Sequence, residues 1–247
     1  MTLAVIDNIA AQPSPQRTLD NYRTLAANYD STCMRIEELR LIALHSLELQ
    51  PGETVFDVAC GTGPTLPMLA SAVGPTGKVV GIEICPEMAA LALKRIASVA
   101  GSENVSVAQV ATEDFKPVAR ADALLLCYTQ DVLQSATALN SLIACAKPGA
   151  RITILGMKTL PWLLGWPVNL FNMYRARHYM TTYVNLDRPW RLLEGRGADL
   201  QLIHAALWGS AYVVTGTMPL STFENSPKAN SSLKPATNSP LPNPARL

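Results

Sequence analysis

The sequence predicts an α/β fold: a doubly wound, Rossmann-like, mostly parallel seven-stranded sheet that ends in an antiparallel hairpin. Three observations carry this. Between Thr54 and Leu155, short β-rich runs alternate with apolar runs of helical period, the βαβ rhythm of a parallel sheet. Ala121 to Cys127 is apolar at every position but Asp122, with Ala123 to Cys127 unbroken, as expected of a strand buried on both faces. Leu200 to Trp208 and Ala211 to Thr217 are two further strand-like runs joined only by Gly209-Ser210, a link too short for anything but antiparallel neighbours.

Length and charge narrow the function classes. With 247 residues and 49% hydrophobic content, one domain with a sizeable core is expected. A net charge of +1, 16% charged residues and no Lys/Arg cluster lie away from the basic balance of a nucleic-acid binder, so small molecules are the expected partners. Cys33, Cys60, Cys85, Cys127 and Cys145 are odd in number and widely spaced, without C-x-x-C or paired His. They read as reduced thiols of a cytoplasmic protein, and no metal site is indicated. No basic residue precedes Arg17, and no signal-type apolar core follows a charged start. Thr159 to Tyr174, an uncharged run rich in large apolar side chains, is short for a membrane span and contains Pro161 and Pro167.

Taken in order, residues 1–16 with Pro13 and Pro15 read as a loose lead-in. Residues 17–50 read as a cap of two helices; Ile36, Leu39, Ala43, Leu44 and Leu47 recur at helical spacing, and Pro51-Gly52 stops the second. Thr54 to Ala59 is the first strand. Pro64 to Val73 is the helix behind it, Pro64 being suited to the first helical position. Gly74, Pro75 and Gly77 turn the chain into the second strand, Lys78 to Ile84. A helix over Pro86 to Ala100, with Met88, Leu91, Ala92 and Ile96 on one face, leads to a third strand, Val105 to Val110. The fourth, Ala121 to Cys127, is followed by a helix from Asp131 to Ala146, and Lys147-Pro148-Gly149 turns the chain into a fifth, Arg151 to Leu155. Residues 157–190 show no strand rhythm and hold seven of the 15 Phe, Trp and Tyr side chains; Asp187 reads as the N-cap of a short helix through Glu194. Residues 221–247, rich in Ser, Asn and Pro, read as a disordered tail.

The chemistry gathers at Thr54 to Leu69, TVFDVACGTGPTLPML, where strand, glycine turn and helix start follow one another at once. Glycines let a backbone pass close to a ligand without a Cβ in the way. The dinucleotide fingerprint G-x-G-x-x-G is not met: Leu66 holds the third place after Gly61 and Gly63, and Ala59 stands where an upstream glycine would be, which argues against NAD. Two glycines after a strand are equally a plain βα turn. Glu83, at the end of the second strand and about 20 residues beyond the glycines, stands where an acid accepts both hydroxyls of a ribose. Asp57 adds an acid inside the first motif, suited to an ammonium or sulfonium rather than a pyrophosphate. An acid at each place favours a cationic nucleoside.

Taken with the terminal hairpin, the stretches DVACGTG, GIE and KPGARITILG closely resemble the class I S-adenosylmethionine-dependent methyltransferases, over roughly Tyr22 to Pro219. The resemblance implies one such domain over residues 17–220, with S-adenosyl-L-methionine as cofactor. It implies that Asp57, Gly61 and Gly63, with the adjoining Ala59, cradle the methionine part, and that Glu83, with Ile84 beside it, holds the ribose. The Asp-Ala pair that reads adenine in many relatives is replaced by Ala111-Thr112 and Glu113, so adenine recognition would rest on backbone and on Thr112 or Glu113; Glu113-Asp114 reads equally as a solvated loop. A nearer likeness, to quinone-biosynthesis and phosphatidylethanolamine methyltransferases, lies in Ala27-Asn28-Tyr29-Asp30, Tyr128-Thr129-Gln130-Asp131-Val132-Leu133 and Asp187-Arg188-Pro189-Trp190. In that branch the N-terminal helices and the segment after the fifth strand, here 157–190, close over the acceptor. Its members carry His where this chain has Gln130, and an amide hydrogen-bonds an acceptor without taking its proton.

The activity so implied is in-line methyl transfer, in which the protein aligns nucleophile, methyl and sulfur and excludes water. Tyr22, Tyr29 and Tyr128 are candidates to face the sulfonium, or else packing residues. His178, beside Arg175 and Arg177, is a base or anion clamp, or else part of a surface basic cluster; His45 and His204 read as structural. Gln130, His178 and Tyr29 are thus the catalytic candidates, and Tyr22 and Tyr128 join the cofactor set. Pro161 to Tyr174 lines an apolar acceptor pocket, lies on a membrane surface with the two arginines at the headgroups, or serves core or dimer packing; the first is favoured. The expected acceptor is a hydrophobic metabolite, aromatic, quinone or isoprenoid-like, with a phospholipid headgroup second. The rivals are a protein that binds the cofactor without transferring methyl, as a cyclase or regulator, and more distantly a nicotinamide dehydrogenase. Monomer and homodimer both remain open.

Overall fold

The computed structural model describes residues 13–25 and 37–220; the residues outside these ranges include Tyr29 and the Ala27–Asp30 stretch. Two cap helices, α1 (Pro15–Leu25) and α2 (Glu37–His45), come first. Seven strands follow: β1 (Thr54–Val58), β2 (Lys78–Glu83), β3 (Val105–Gln109), β4 (Ala121–Cys127), β5 (Ala146–Met157), β6 (Asp199–Ala206) and β7 (Ala211–Thr217). The sheet order is β3-β2-β1-β4-β5-β7-β6. Strands β1 to β5 are mutually parallel, whereas β7 runs antiparallel to both β5 and β6. The chain winds one way from β1 to β3 and the other way from β4, so a crevice opens beyond the carboxyl ends of β1 and β4.

Alternation along the strands feeds two cores. Phe56, Val58, Leu124, Leu126, Ile152 and Ile154 point to one face. Val55, Val79, Ala123, Leu125, Leu155 and Val213 point to the other, where Leu39 and Leu44 of α2 and Leu66 and Leu69 of α3 (Leu66–Val73) cover them. Burial on both faces explains the apolar run Ala123 to Cys127 of β4, while Asp122 near its start accepts the Thr54 N–H and pairs with Lys147.

Several boundaries differ from expectation. Pro64 lies ahead of α3, whose N-cap is Thr65; Pro67 is the proline of its first turn. Helix α4 ends at Ala97 (Pro86–Ala97). The single helix expected behind β4 is two, α5 (Gln130–Gln134) and α6 (Ala136–Cys145), because Ser135 leaves helical geometry and caps α6 through the N–H of Ala138 at 3.2 Å. The expected Lys147-Pro148-Gly149 turn is absorbed into a longer β5, as an irregularity in its pairing with β4. The aromatic segment folds as a 15-residue helix, α7 (Trp162–Ala176), which passes through Pro167. Asp187 does not cap α8 (Arg191–Glu194), whose N-cap is Trp190; it pairs with Arg191 at 2.6 Å. Strand β6 stops at Ala206, and Leu207–Gly209 form a 3₁₀ turn into β7. Among the described residues, no helix is long and apolar enough to cross a membrane.

Candidate active site

The glycine turn after β1 is held from three sides. The N–H of Cys60 reaches the carbonyl of Ile82 in β2 (3.0 Å), the N–H of Gly63 folds back on the carbonyl of Cys60 (2.9 Å), and Nε of Arg95 in α4 donates to the carbonyl of Thr62 (2.9 Å). The two glycines serve different ends. Gly61 lines the crevice, whereas Gly63 does not: a Cβ there would sit 2.7 Å from Leu66 Cδ1 and 3.0 Å from Ala92 Cβ. Gly63 therefore lets α3 and α4 close against the turn. That close packing is the part a third glycine plays in the dinucleotide fingerprint.

Glu83 ends β2 with its side chain 6% exposed. Its Oε2 accepts the Gly61 N–H at 2.9 Å, and its Oε1 accepts the Cys85 N–H at 2.8 Å. A carboxylate has about four lone-pair sites, so acceptor capacity is left for a hydroxyl donor. Burial pushes the Glu83 carboxyl above its ordinary range, and the backbone donors of Cys85, Gly61 and Ile84 oppose this.

Most of the sequence candidates meet around this carboxylate. Ala59 and Gly61 line the crevice from β1, Glu83 and Ile84 from β2, Thr112 and Glu113 from the turn after β3, and Tyr128 and Gln130 from the end of β4; Tyr22 of α1 covers it. Ala59 (φ 51°) and Tyr128 (φ 58°) both hold left-handed backbone where side chains are disfavoured, on the two strands that flank the switch point.

Three candidates stand elsewhere. Asp57 is 1% exposed beneath the crevice, accepting the Thr65 hydroxyl instead of lining the wall. Burial raises its pKa from 3.8 to about 7; the Thr65 hydrogen bond and the charge of Arg40 on α2 pull it down, and Glu83 adds a rise. Gly63 is the packing glycine described above. His178 is exposed in the turn after α7 and does not line the crevice, so it faces solvent where a base or clamp was expected. Tyr29 lies outside the described residues. The run expected to line the acceptor pocket does not reach this crevice either, since no residue of α7 lines it; from that part of the chain, Tyr179 does. Gln130 is committed to the cap, its Nε2 donating to the carbonyl of Val184 at 2.9 Å.

Sequence reasoning missed the residue that binds the cap together. Asp131 accepts the Thr18 hydroxyl of α1 (3.0 Å), the Thr181 N–H (3.0 Å) and hydroxyl (2.7 Å), and the Thr182 N–H (3.3 Å). The N–H of Ser14 in turn donates to Thr181 Oγ1 at 3.0 Å. One carboxylate thus joins α5, the N-terminal helix and the segment after α7. Partners 113 and 50 residues away leave no local signal in the sequence. Thr129 was also missed. It lines the crevice, and its buried hydroxyl has no hydrogen-bond partner.

These groups fit S-adenosylmethionine. Glu83 has acceptor sites free for ribose hydroxyls, the orphaned Thr129 hydroxyl calls for a polar ligand atom, and the Tyr22, Tyr128 and Tyr179 rings suit a sulfonium. No group of three or more His, Cys, Asp or Glu able to hold a metal occurs among the described residues.

Residues 49–196, more than half the chain, match the family model described as a methyltransferase domain, and the chain belongs to that family; it is a class I S-adenosylmethionine-dependent methyltransferase. Among curated proteins it is similar to the 2-phytyl-1,4-naphtoquinone methyltransferase of Synechocystis, with 25% identity over 76% of this chain and 79% of that one. It is also similar to the ubiquinone/menaquinone biosynthesis C-methyltransferase UbiE of Ectopseudomonas mendocina, with 29% identity over 57% of each; the chain thus spans little more than half of that relative's length. Its fold is similar to that of a SAM-dependent methyltransferase from Aquifex aeolicus, with TM-score 0.51 and 24% identity over 71% of this chain and 87% of that one.

Proposed function

We propose that this protein methylates an apolar small molecule of the quinone, aromatic or isoprenoid-like kind. The bound cofactor would supply an electrophilic methyl group on a sulfonium. Glu83 would hold the ribose through its remaining acceptor capacity, Thr112 and Glu113 would face the adenine, and the backbone at Ala59 and Gly61 would lie along the methionine part. Tyr22, Tyr128 and Tyr179 would face the cation and shut out water, and the Asp131 staple would keep the cap closed while the acceptor is aligned.

The observation that carries this reading is the Glu83 carboxylate at the end of β2, held by the Gly61 and Cys85 amides beside an otherwise mostly apolar crevice. The names of the two quinone methyltransferases to which the chain is similar support the acceptor class. Gln130, bonded to Val184, would act as a cap contact and not as a base, which favours an acceptor that needs orientation more than deprotonation, such as an activated ring carbon.

The test is incubation with methyl-labelled S-adenosylmethionine and a panel of hydroxylated naphthalene and benzenoid acceptors, with phosphatidylethanolamine in a parallel arm. Label in an organic-soluble ring product supports the reading. Label only in the phospholipid replaces the acceptor class. Tight binding of S-adenosylhomocysteine with no label in either arm would favour a cofactor-binding protein that does not transfer methyl.

A further inference from the structure

Helix α7 is built inside out. The residues it turns inward are small or polar: Gly165, Asn169 and Ala176 are its buried positions. Asn169 clamps the helix to the preceding chain, its Oδ1 accepting the Leu160 N–H (2.8 Å) and its Nδ2 donating to the Leu160 carbonyl (2.9 Å). Gly165 lets Leu160 in so closely that a Cβ there would lie 2.3 Å from that of Leu160. The large apolar side chains point out. Leu163 and Leu164 are each 88% exposed, and Trp162, Trp166, Phe171 and Tyr174 are all more than half exposed. At 100° per residue, Leu163, Leu164, Phe171 and Tyr174 fall on the arc opposite Gly165, Asn169 and Ala176, with Trp166 at its edge and Trp162 at the start of the helix nearer the inward side. An ordinary surface helix has the reverse pattern.

A second exposed apolar element lies next to α7. The turn between β6 and β7 carries two consecutive non-glycine residues in left-handed backbone, Leu207 (φ 50°) and Trp208 (φ 58°), and they leave Trp208 87% exposed. Leu160 joins the two elements: it packs under Gly165 of α7, and its Cδ2 is 3.5 Å from where a Gly209 Cβ would lie. Backbone strain is spent here on displaying an indole to solvent.

We propose that α7 and the Trp208 turn form a docking face for the surface of an anionic lipid bilayer. The charges favour this occupant. Helix α7 contains no acidic residue, and at its C-terminal edge the guanidinium of Arg175 lies 5.9 Å from the Phe171 ring centroid and that of Arg177 lies 3.7 Å from the Tyr174 ring centroid. Asp187, the acid nearest in the hollow beside Trp162, is paired with Arg191. Tryptophan and tyrosine flanked by arginine suit the boundary between acyl chains and anionic headgroups. A second copy of the chain suits the face less well, because a twofold contact meets itself and would bring arginines together with no acid in the patch to receive them. The face also leads to the crevice: three residues beyond α7, Tyr179 forms part of its wall. The inference rests on the proposed apolar acceptor for its biological sense, since a membrane-dissolved acceptor would arrive from this side, but docking itself needs no acceptor.

The experiment is flotation of the full chain with vesicles of phosphatidylcholine alone and of phosphatidylcholine with phosphatidylglycerol in equal parts, alongside sedimentation of the protein without lipid. The protein should float with the mixed vesicles, with a blue shift of tryptophan emission, and much less with the neutral ones. The triple variant Leu163→Ser, Leu164→Ser, Phe171→Ser, and separately Trp208→Ser, should weaken flotation by about tenfold or more. Both variants should bind S-adenosylhomocysteine as the wild type does by calorimetry, which reports folding and the cofactor site independently of docking. Arg175→Glu with Arg177→Glu should abolish the preference for anionic vesicles. Absence of flotation with either composition overturns the proposal. So does a lipid-free dimer that the triple variant dissociates, which would assign the face to a second copy. A failure to methylate any acceptor, with flotation intact, would count against the proposed function alone.

Discussion

The backbone N–H of Gly61 donates a 2.9 Å hydrogen bond to Oε2 of Glu83, tying the turn after β1 to the last residue of β2. With Cys85 donating to the other oxygen, the carboxylate is fixed before any ligand arrives. A positioned acceptor of this kind loses little freedom on binding hydroxyls.

Glu83→Ala should therefore affect two properties together. Hydrogen bonds to a charged group contribute roughly 1.5–3 kcal/mol each, so S-adenosylhomocysteine affinity should fall by at least tenfold in calorimetry. Stability should also drop, since the Gly61 and Cys85 amides lose their acceptor. Binding at wild-type strength would remove Glu83 from the ribose site.

Asp57 makes stability depend on pH. Its folded pKa of about 7 lies above the value of 3.8 expected unfolded, so between those limits the folded state holds more protons. Stability should fall as pH rises from about 4 to about 7, with the whole penalty present above that; a move of this size corresponds to roughly 4 kcal/mol. Burial of Glu83 adds a contribution of the same sign. In Asp57→Asn, urea midpoints of the ligand-free protein across this range should run flatter than wild type. Parallel curves would show that Asp57 does not carry the effect.

Asp131→Ala should loosen the cap and spare the sheet. Removing an acceptor shared by Thr18, Thr181 and Thr182 costs roughly 2–4 kcal/mol of local stability. Amide exchange should speed up in residues 14–25 and 179–182 while β1, β4 and β5 stay protected. Uniformly faster exchange would mean that the cap is not a separate unit.

Gly63→Ala places a Cβ against Leu66 and Ala92 at a backbone φ of 69°. Overpacking and left-handed strain together should lower stability by about 2–4 kcal/mol, read as a shifted urea midpoint.

Thr129→Val is the converse case. It removes a buried hydroxyl that has no partner, so stability should hold or rise slightly, while S-adenosylhomocysteine affinity should fall by about fivefold if the cofactor uses that hydroxyl. Unchanged affinity would exclude the contact.

Fold class and cofactor were legible because their signals are local. The alternating periods, the apolar run Ala123 to Cys127 of β4 and the placing of Glu83 some 20 residues past the glycines each sit within a short window. The Ser135 break between α5 and α6 was not legible, since a capping serine inside an apolar run looks like an ordinary helical residue. The inside-out character of α7 was hidden for a related reason. Its composition, WLLGWPVNLFNMYRA, suits a pocket lining, a membrane surface or packing alike, and the small residues that turn inward are visible as such only once Leu160 is seen beneath Gly165.

What the sequence determined by itself is the frame: a doubly wound sheet, a glycine turn that refuses a dinucleotide, and an acid at the end of β2. These follow from side-chain period and from backbone steric limits, which act between near neighbours. Only the tertiary structure decided how the acids and glycines divide their work. Asp57 went into the interior against Thr65 and Arg40, Gly63 went to helix packing, and Asp131 became the junction of three distant segments. Burial and long-range hydrogen bonding depend on which segments meet, and that is a property of the folded chain alone.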